Sequence, residues 1–213
     1  MQTSFHKITL AVVEFFILLI LAILPVISVY TDVVFLGNDV GEVSVTEFAQ
    51  EGLLLIAAMI FWYGAWKKPA SRGFLVLVAG FLTSMFVREM DGFLDEVWHG
   101  FWFWPALLIA QASIGYARFI AKNTSLKPLV NFINTKPYFL VLIGLIVVLI
   151  LSRTFGSGGL LWHDLLPEGN SSLVKTVVQE GLELLGYTFI FYGSLVFLHR
   201  DFVSFLYKAP NQD

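Results

Sequence analysis

Cysteine is absent from this chain of 213 residues, which excludes disulfides, thiolate metal sites, iron–sulfur clusters and cysteine nucleophiles. Charge is scarce too: 14% of residues are Asp, Glu, Lys or Arg, against about 25% in soluble domains. No cluster of Lys and Arg is dense enough to follow a phosphate backbone, and the net charge is -3, so no nucleic-acid partner is expected. Histidine is limited to His6, His99, His163 and His199. There is no Gly-x-Ser-x-Gly elbow, and no His lies beside Ser84 in sequence, so Ser84 reads as a helix-packing serine. Gly156, Gly158 and Gly159 are not followed by Gly-Lys-Ser/Thr and form a loop rather than a phosphate cradle.

What the chain has is apolar length. Hydrophobic residues make up 57% of it, and five or six stretches run for about 15 to 23 residues with few charges, near the roughly 20 that a helix needs to cross a bilayer. Runs such as Tyr138 to Leu151 are apolar at every position, which disfavours the alternating strands of a barrel. The expected fold is therefore all-α: one integral membrane domain over residues 1–213, a bundle of six transmembrane helices over residues 8–30, 45–66, 73–87, 101–121, 138–151 and 173–198. The first stretch is too long for the apolar region of a signal peptide, about 7–15 residues, and reads as a permanent anchor. The third and fifth are short, and are expected to continue through Phe93, Leu94 and Val97 and through Phe155.

Positive residues set the orientation, because those in short loops stay cytoplasmic. Lys7 precedes the first span, and Lys67, Lys68 and Arg72 separate the second and third. Arg118, Lys122, Lys127 and Lys136 surround the fourth connection, and Arg200 and Lys208 follow the last span. The other loops have only Arg88, Arg153 and Lys175, all near span ends. Both termini are thus expected inside, in a plasma membrane of the bacterial inner-membrane kind, with the lipid bilayer as the surrounding partner. Residues 126–137 have amphipathic character suited to the interface or to a plain loop. The run from Phe101 to Trp104 reads as an interfacial aromatic belt, and Glu14 as snorkelling or locally paired.

Internal similarity adds a second signal. Gln50-Glu51-Gly52-Leu53 recurs as Gln179-Glu180-Gly181-Leu182, and the likeness continues to Tyr63-Gly64 and Tyr192-Gly193 at the same offset. Trp98-His99 recurs as Trp162-His163, and Gln111-Ala112-Ser113-Ile114 is a weaker echo. Three pseudo-repeated helical hairpins would account for this, as in transporters built from parallel repeats.

Acidic residues collect at the expected outer end. An ionisable group inside a bilayer costs roughly 2.5–3.5 kcal/mol, so it is retained where partnered or useful. Glu51 and Glu180 should sit at similar depth, with Glu183 one turn deeper than Glu180, and with Arg88, Glu89 and Asp91 at the end of the third span. Three readings remain open. In the leading one, Glu51, Arg88, Glu89, Asp91, Glu180 and Glu183, with Gln50 and Gln179 as neutral oxygen donors, bind or pass a cation, a proton or a cationic solute. In the second, Glu96, His99, Glu180, Glu183 and His163 hold a divalent metal ion as the cofactor of a membrane enzyme, Glu96-x-x-His99 having the i, i+3 spacing of di-iron bundles. In the third, the charges only fix helix register, Arg88 pairing with Glu51 or Glu180, and the chain is a non-catalytic subunit of a homo-oligomer or of another membrane protein.

Overall fold

Apolar segments in an apolar solvent have to satisfy their backbone groups internally, and the chain does so as helices throughout. The computed structural model describes residues 2–41, 43–157, 162 and 171–207, and among these there is no strand. Helix α1 (Gln2–Tyr30) carries on through wider π-type turns at Thr31–Leu36. It is followed by α2 (Val45–Lys67), α3 (Arg72–Glu89) and the single turn α4 (Asp91–Leu94). Helix α5 (Phe103–Gly115) continues through π-type turns at Tyr116–Ile120, and α6 (Leu126–Ile133) is short. Helix α7 (Lys136–Ile146) runs on through Val147–Ser152 and Arg153–Phe155, and α8 (Ser171–Tyr207) is the longest.

Five segments are long and apolar enough to cross a membrane: Ile8–Leu36, Val45–Lys67, Pro69–Glu89, Lys136–Phe155 and Ser172–His199. Helix α5, expected as the fourth crossing, is not one of them. Pro105, Gln111, Ser113, Tyr116 and Arg118 dilute its apolar character. The expected continuation of the third span also differs, because α3 stops at Glu89 and residues 91–94 form a separate turn. The fifth does continue through Phe155.

Helices α2 and α8 form the centre and run parallel: Gln50 meets Glu180 at one end, and Phe61 stacks on Phe197 toward the other at 5.0 Å. Helix α3 packs on α2 and α5 on α3, while α7 and α1 pack on α8. The core comprises Leu54, Ala57 and Phe61 of α2, Leu75, Ala79 and Leu82 of α3, and Tyr187 and Ile190 of α8. Helix α6 is amphipathic and pinned by one side chain: Phe132 is buried among Phe61, Phe74, Tyr138 and Phe197. We call this the aromatic end of the bundle. Phe103 and Trp104, in the aromatic run, are exposed.

Small residues let the antiparallel pairs close. Gly80 abuts Ser113 between α3 and α5, where Ser84 Oγ also donates to the Ala106 carbonyl at 3.0 Å, and Gly73 N donates to Thr124 Oγ1 at 2.9 Å beyond the far end of α5. Gly144 and Gly186 bring the backbones of α7 and α8 together. Helix α1 is held more loosely and presents most of its surface outward. Glu14 ties it down by pairing with Lys136 on α7, so its partner is distant in sequence rather than local. At the other end of α1, the fully buried Asp32 accepts from Val45 N at 2.8 Å, Thr46 N at 2.9 Å and Thr46 Oγ1 at 2.6 Å. Together with Ser44, which accepts from Glu47 N, it satisfies the first N–H groups of α2 and fixes where that helix begins.

Candidate functional site

The end of the bundle opposite the aromatic residues gathers side chains from α2, α3, α7 and α8. Helix α2 supplies Glu47, Gln50 and Glu51, and α3 closes with Arg88 and Glu89. The last turns of α7 carry Ser152 and Arg153, and α8 contributes Gln179, Glu180, Glu183 and Tyr187. On α8 the i, i+4 spacing of Gln179, Glu183 and Tyr187 aligns them on one face; on α2 Glu47 and Glu51 align in the same way.

Glu183 is the most enclosed carboxylate at this end of the bundle, with its side chain 2% exposed. Such a charge is tolerated only where opposite charge and hydrogen bonds replace water. Arg153 Nη2 lies 3.2 Å from its Oε1 and Arg88 Nη2 lies 3.7 Å from its Oε2. Gln179 Nε2 donates at 3.2 Å and Ser152 Oγ at 3.4 Å. Glu89 is satisfied in the same way, accepting from Arg88 Nη2 at 2.5 Å and from the Tyr187 hydroxyl at 2.7 Å. Arg88 therefore bridges Glu89 and Glu183, and not Glu51 or Glu180 as the sequence suggests.

The other three glutamates have no such balance. Among the described residues, no Lys, Arg or His lies within ion-pair distance of Glu47, Glu51 or Glu180. The fully buried Gln50 donates through Nε2 to both the Glu180 carbonyl and Glu180 Oε2, each at 3.1 Å, while its own Oε1 is buried with no hydrogen-bond partner. Beside these groups a cleft of about 110 Å³ is lined by Glu47, Glu51, Glu89, Asp91 and Glu96, with Val43 and Phe93 as its apolar walls.

No protein-family model, curated protein or solved structure matches this chain. The site is therefore argued from its own chemistry.

Gln50, Glu51, Arg88, Glu89, Asp91, Gln179, Glu180 and Glu183 all come to one end of the bundle. The residues of the metal reading do not assemble in the same way. Glu96 and His99 lie in a chain of turns after α4 rather than on one helix, so their i, i+3 spacing does not place them on a common face. Glu96 lines the cleft, whereas His99 is fully exposed and contacts Asp95, Nδ1 to Oδ2, at 3.1 Å. His163, Asp164 and Glu168 lie outside the described residues. Among the described residues no three Asp, Glu or His side chains are grouped so as to hold a metal ion. Glu47 and Tyr187 were not singled out by sequence. The one available signal was their i, i+4 spacing to Glu51 and Glu183; nothing local marks Arg153 as the partner of Glu183.

Proposed function

We propose that this is a membrane protein of six crossings, with both termini cytoplasmic, that binds and moves a small cation, a proton or a cationic solute through its outward-facing acidic end. The observation that carries this reading is the excess of negative charge. Two arginines balance Glu89 and Glu183, whereas among the described residues no Lys, Arg or His lies within ion-pair distance of Glu47, Glu51 or Glu180, and Gln50, which donates to Glu180, keeps a buried amide oxygen with no hydrogen-bond partner. A cleft lined by carboxylates concentrates cations and lowers the cost of removing water from them.

Six crossings are supported by the path of α5, which runs antiparallel along the whole of α3, from Ala106 beside Ser84 to the Thr124 turn beside Gly73. The repeat reading is supported by the parallel pairing of α2 and α8, in which Gln50 of one repeated motif meets Glu180 of the other. Because the chain contains no cysteine, single cysteines introduced at Gly92 and Asn123 report topology without background. An impermeant maleimide is expected to label Gly92→Cys in intact cells and Asn123→Cys only after permeabilisation. Labelling of both from one side would remove the α5 crossing, and exchange of the two sides would invert the site.

Function is tested in proteoliposomes with imposed sodium, calcium and pH gradients. Wild-type protein is expected to carry a gradient-dependent flux, and Glu180→Gln to lower it more than about tenfold, the equivalent of about 1.4 kcal/mol. No flux in wild type, or an unchanged flux in a folded Glu180→Gln variant, would refute the reading.

A further inference from the structure

At the aromatic end of the bundle, α2, α3 and the end of α5 border an open groove of about 520 Å³. Each contributes an i, i+4 pair: Trp62 and Trp66, Arg72 and Val76, and Ala112 and Tyr116. We propose that this groove seats one anionic phospholipid, with its phosphate at Arg72 and its acyl chains along the apolar wall. No residue of the acidic end takes part, so the inference stands apart from the cation reading.

Position and polarity both suit a lipid. Lys67 closes one segment able to cross a membrane and Pro69 begins the next, so Arg72 stands where the two meet. Ser113 lines the groove and abuts Gly80 of α3, which lies about 12 Å from Arg72 at 1.5 Å of rise per residue. The groove therefore reaches from a charged mouth well into the apolar layer. Trp62 and Trp66 are exposed along it, and indole rings favour the boundary between headgroups and acyl chains.

Charge decides between a lipid and a second copy of this chain. Arg72 Nε donates to the Ala65 carbonyl at 3.0 Å, and among the described residues no carboxylate lies within ion-pair distance of the guanidinium. A guanidinium fixed through Nε keeps two Nη groups, a pair of donors matched to two phosphate oxygens. Lys67 Nζ lies 4.1 Å from the centre of the Trp66 ring and adds a second positive charge beside the groove. No Asp or Glu occurs between residues 52 and 88 or between residues 97 and 135, which include every residue that lines it. Glu14, an acid at the same end, is already paired with Lys136. A second copy packed through this face would set positive charge against positive charge. A phosphodiester supplies the missing anion, and its acyl chains fill the apolar remainder.

Native mass spectrometry of the full chain in mild detergent counts bound lipids during titration with dioleoylphosphatidylglycerol, or with dioleoylphosphatidylcholine, which has the same acyl chains and no net charge. Wild type is expected to bind one phosphatidylglycerol at least about fivefold more tightly than phosphatidylcholine, the effect of roughly one cationic side chain at a membrane surface. Arg72→Gln should abolish that preference. Lys127→Gln, which removes a cation that does not line the groove, should leave it unchanged. Ala112→Phe fills the groove from an exposed position on α5 and should weaken the binding of both lipids, which keeps the test open if Arg72→Gln fails to fold. Equal affinity of wild type for the two lipids, a preference that survives Arg72→Gln, or undiminished binding in Ala112→Phe would each overturn the proposal. A lipid-free dimer that Ala112→Phe dissociates would overturn it too, and would assign the groove to a second copy.

Discussion

Glu183→Ala is expected to destabilise the bundle by about 3 kcal/mol, the cost of removing one partner from a buried ionic set. The carboxylate is almost wholly enclosed and receives Arg88, Arg153, Gln179 and Ser152. Without it, Arg88 and Arg153 lose their shared carboxylate, and Arg88 keeps only Glu89. The reciprocal substitution should matter less. Arg153 is 43% exposed and water replaces part of what it loses, while Arg88 remains near Glu183, so Arg153→Ala is expected to cost roughly 1 kcal/mol. Denaturation of the detergent-solubilised variants by sodium dodecyl sulfate, followed by circular dichroism, measures the difference. Equal losses in the two variants would mean that Glu183 is not the hub of the network, and no loss in Glu183→Ala would mean that the charges are not coupled in solution.

The second large effect is expected where helices touch backbone to backbone. In Gly186→Ala the new methyl would lie 2.8 Å from the Gly144 carbonyl oxygen and 3.1 Å from Val148 N. In Gly144→Ala it would lie 2.5 Å from the Gly186 carbonyl oxygen. These neighbours are helix backbone and cannot rotate away, so α7 and α8 must separate. Between membrane helices such close packing is itself a main source of association. Each variant is expected to lose about 2–3 kcal/mol, at the upper end of overpacking costs. Gly52→Ala is the control: a methyl there meets nothing within 4 Å, and removing glycine from a helix interior should stabilise by roughly 0.5–1 kcal/mol. The same denaturation assay should separate the three. A Gly186→Ala variant as stable as Gly52→Ala would show that the α7–α8 contact is not tight. Because Ser152 and Arg153 reach Glu183 only through that contact, the clash should also weaken the acidic end.

Much of this architecture was legible in the chain. Long apolar runs specify helices because an apolar solvent leaves the backbone no other partner, and five of the expected spans correspond to segments able to cross a membrane. The acids and their amide neighbours were legible as a group because each stands near the end of such a run. The fourth expected span was less so: its Pro, Gln, Ser, Tyr and Arg residues weaken the apolar signal of α5, although Ser113 packs against Gly80 of α3.

Partner choice was not legible. In the reading where the charges fix register, Arg88 was to pair with Glu51 or Glu180, and it is found between Glu89 and Glu183; Glu14 was expected to snorkel or pair locally and pairs with Lys136. Asp32 is the buried acceptor that starts α2, through hydrogen bonds to residues 13 and 14 positions on. Glu96-x-x-His99 read as a helical pair and lies in turns. Composition and period determined which segments are helical and which end of each carries charge, since both depend on residues within a few turns of one another. Which carboxylate receives an arginine, and which receives none, was decided only by the tertiary structure. Those pairings depend on the rotation and depth of each helix against its neighbours, and these are set by close contacts such as Gly80 with Ser113 and Gly144 with Gly186, across long separations in the chain.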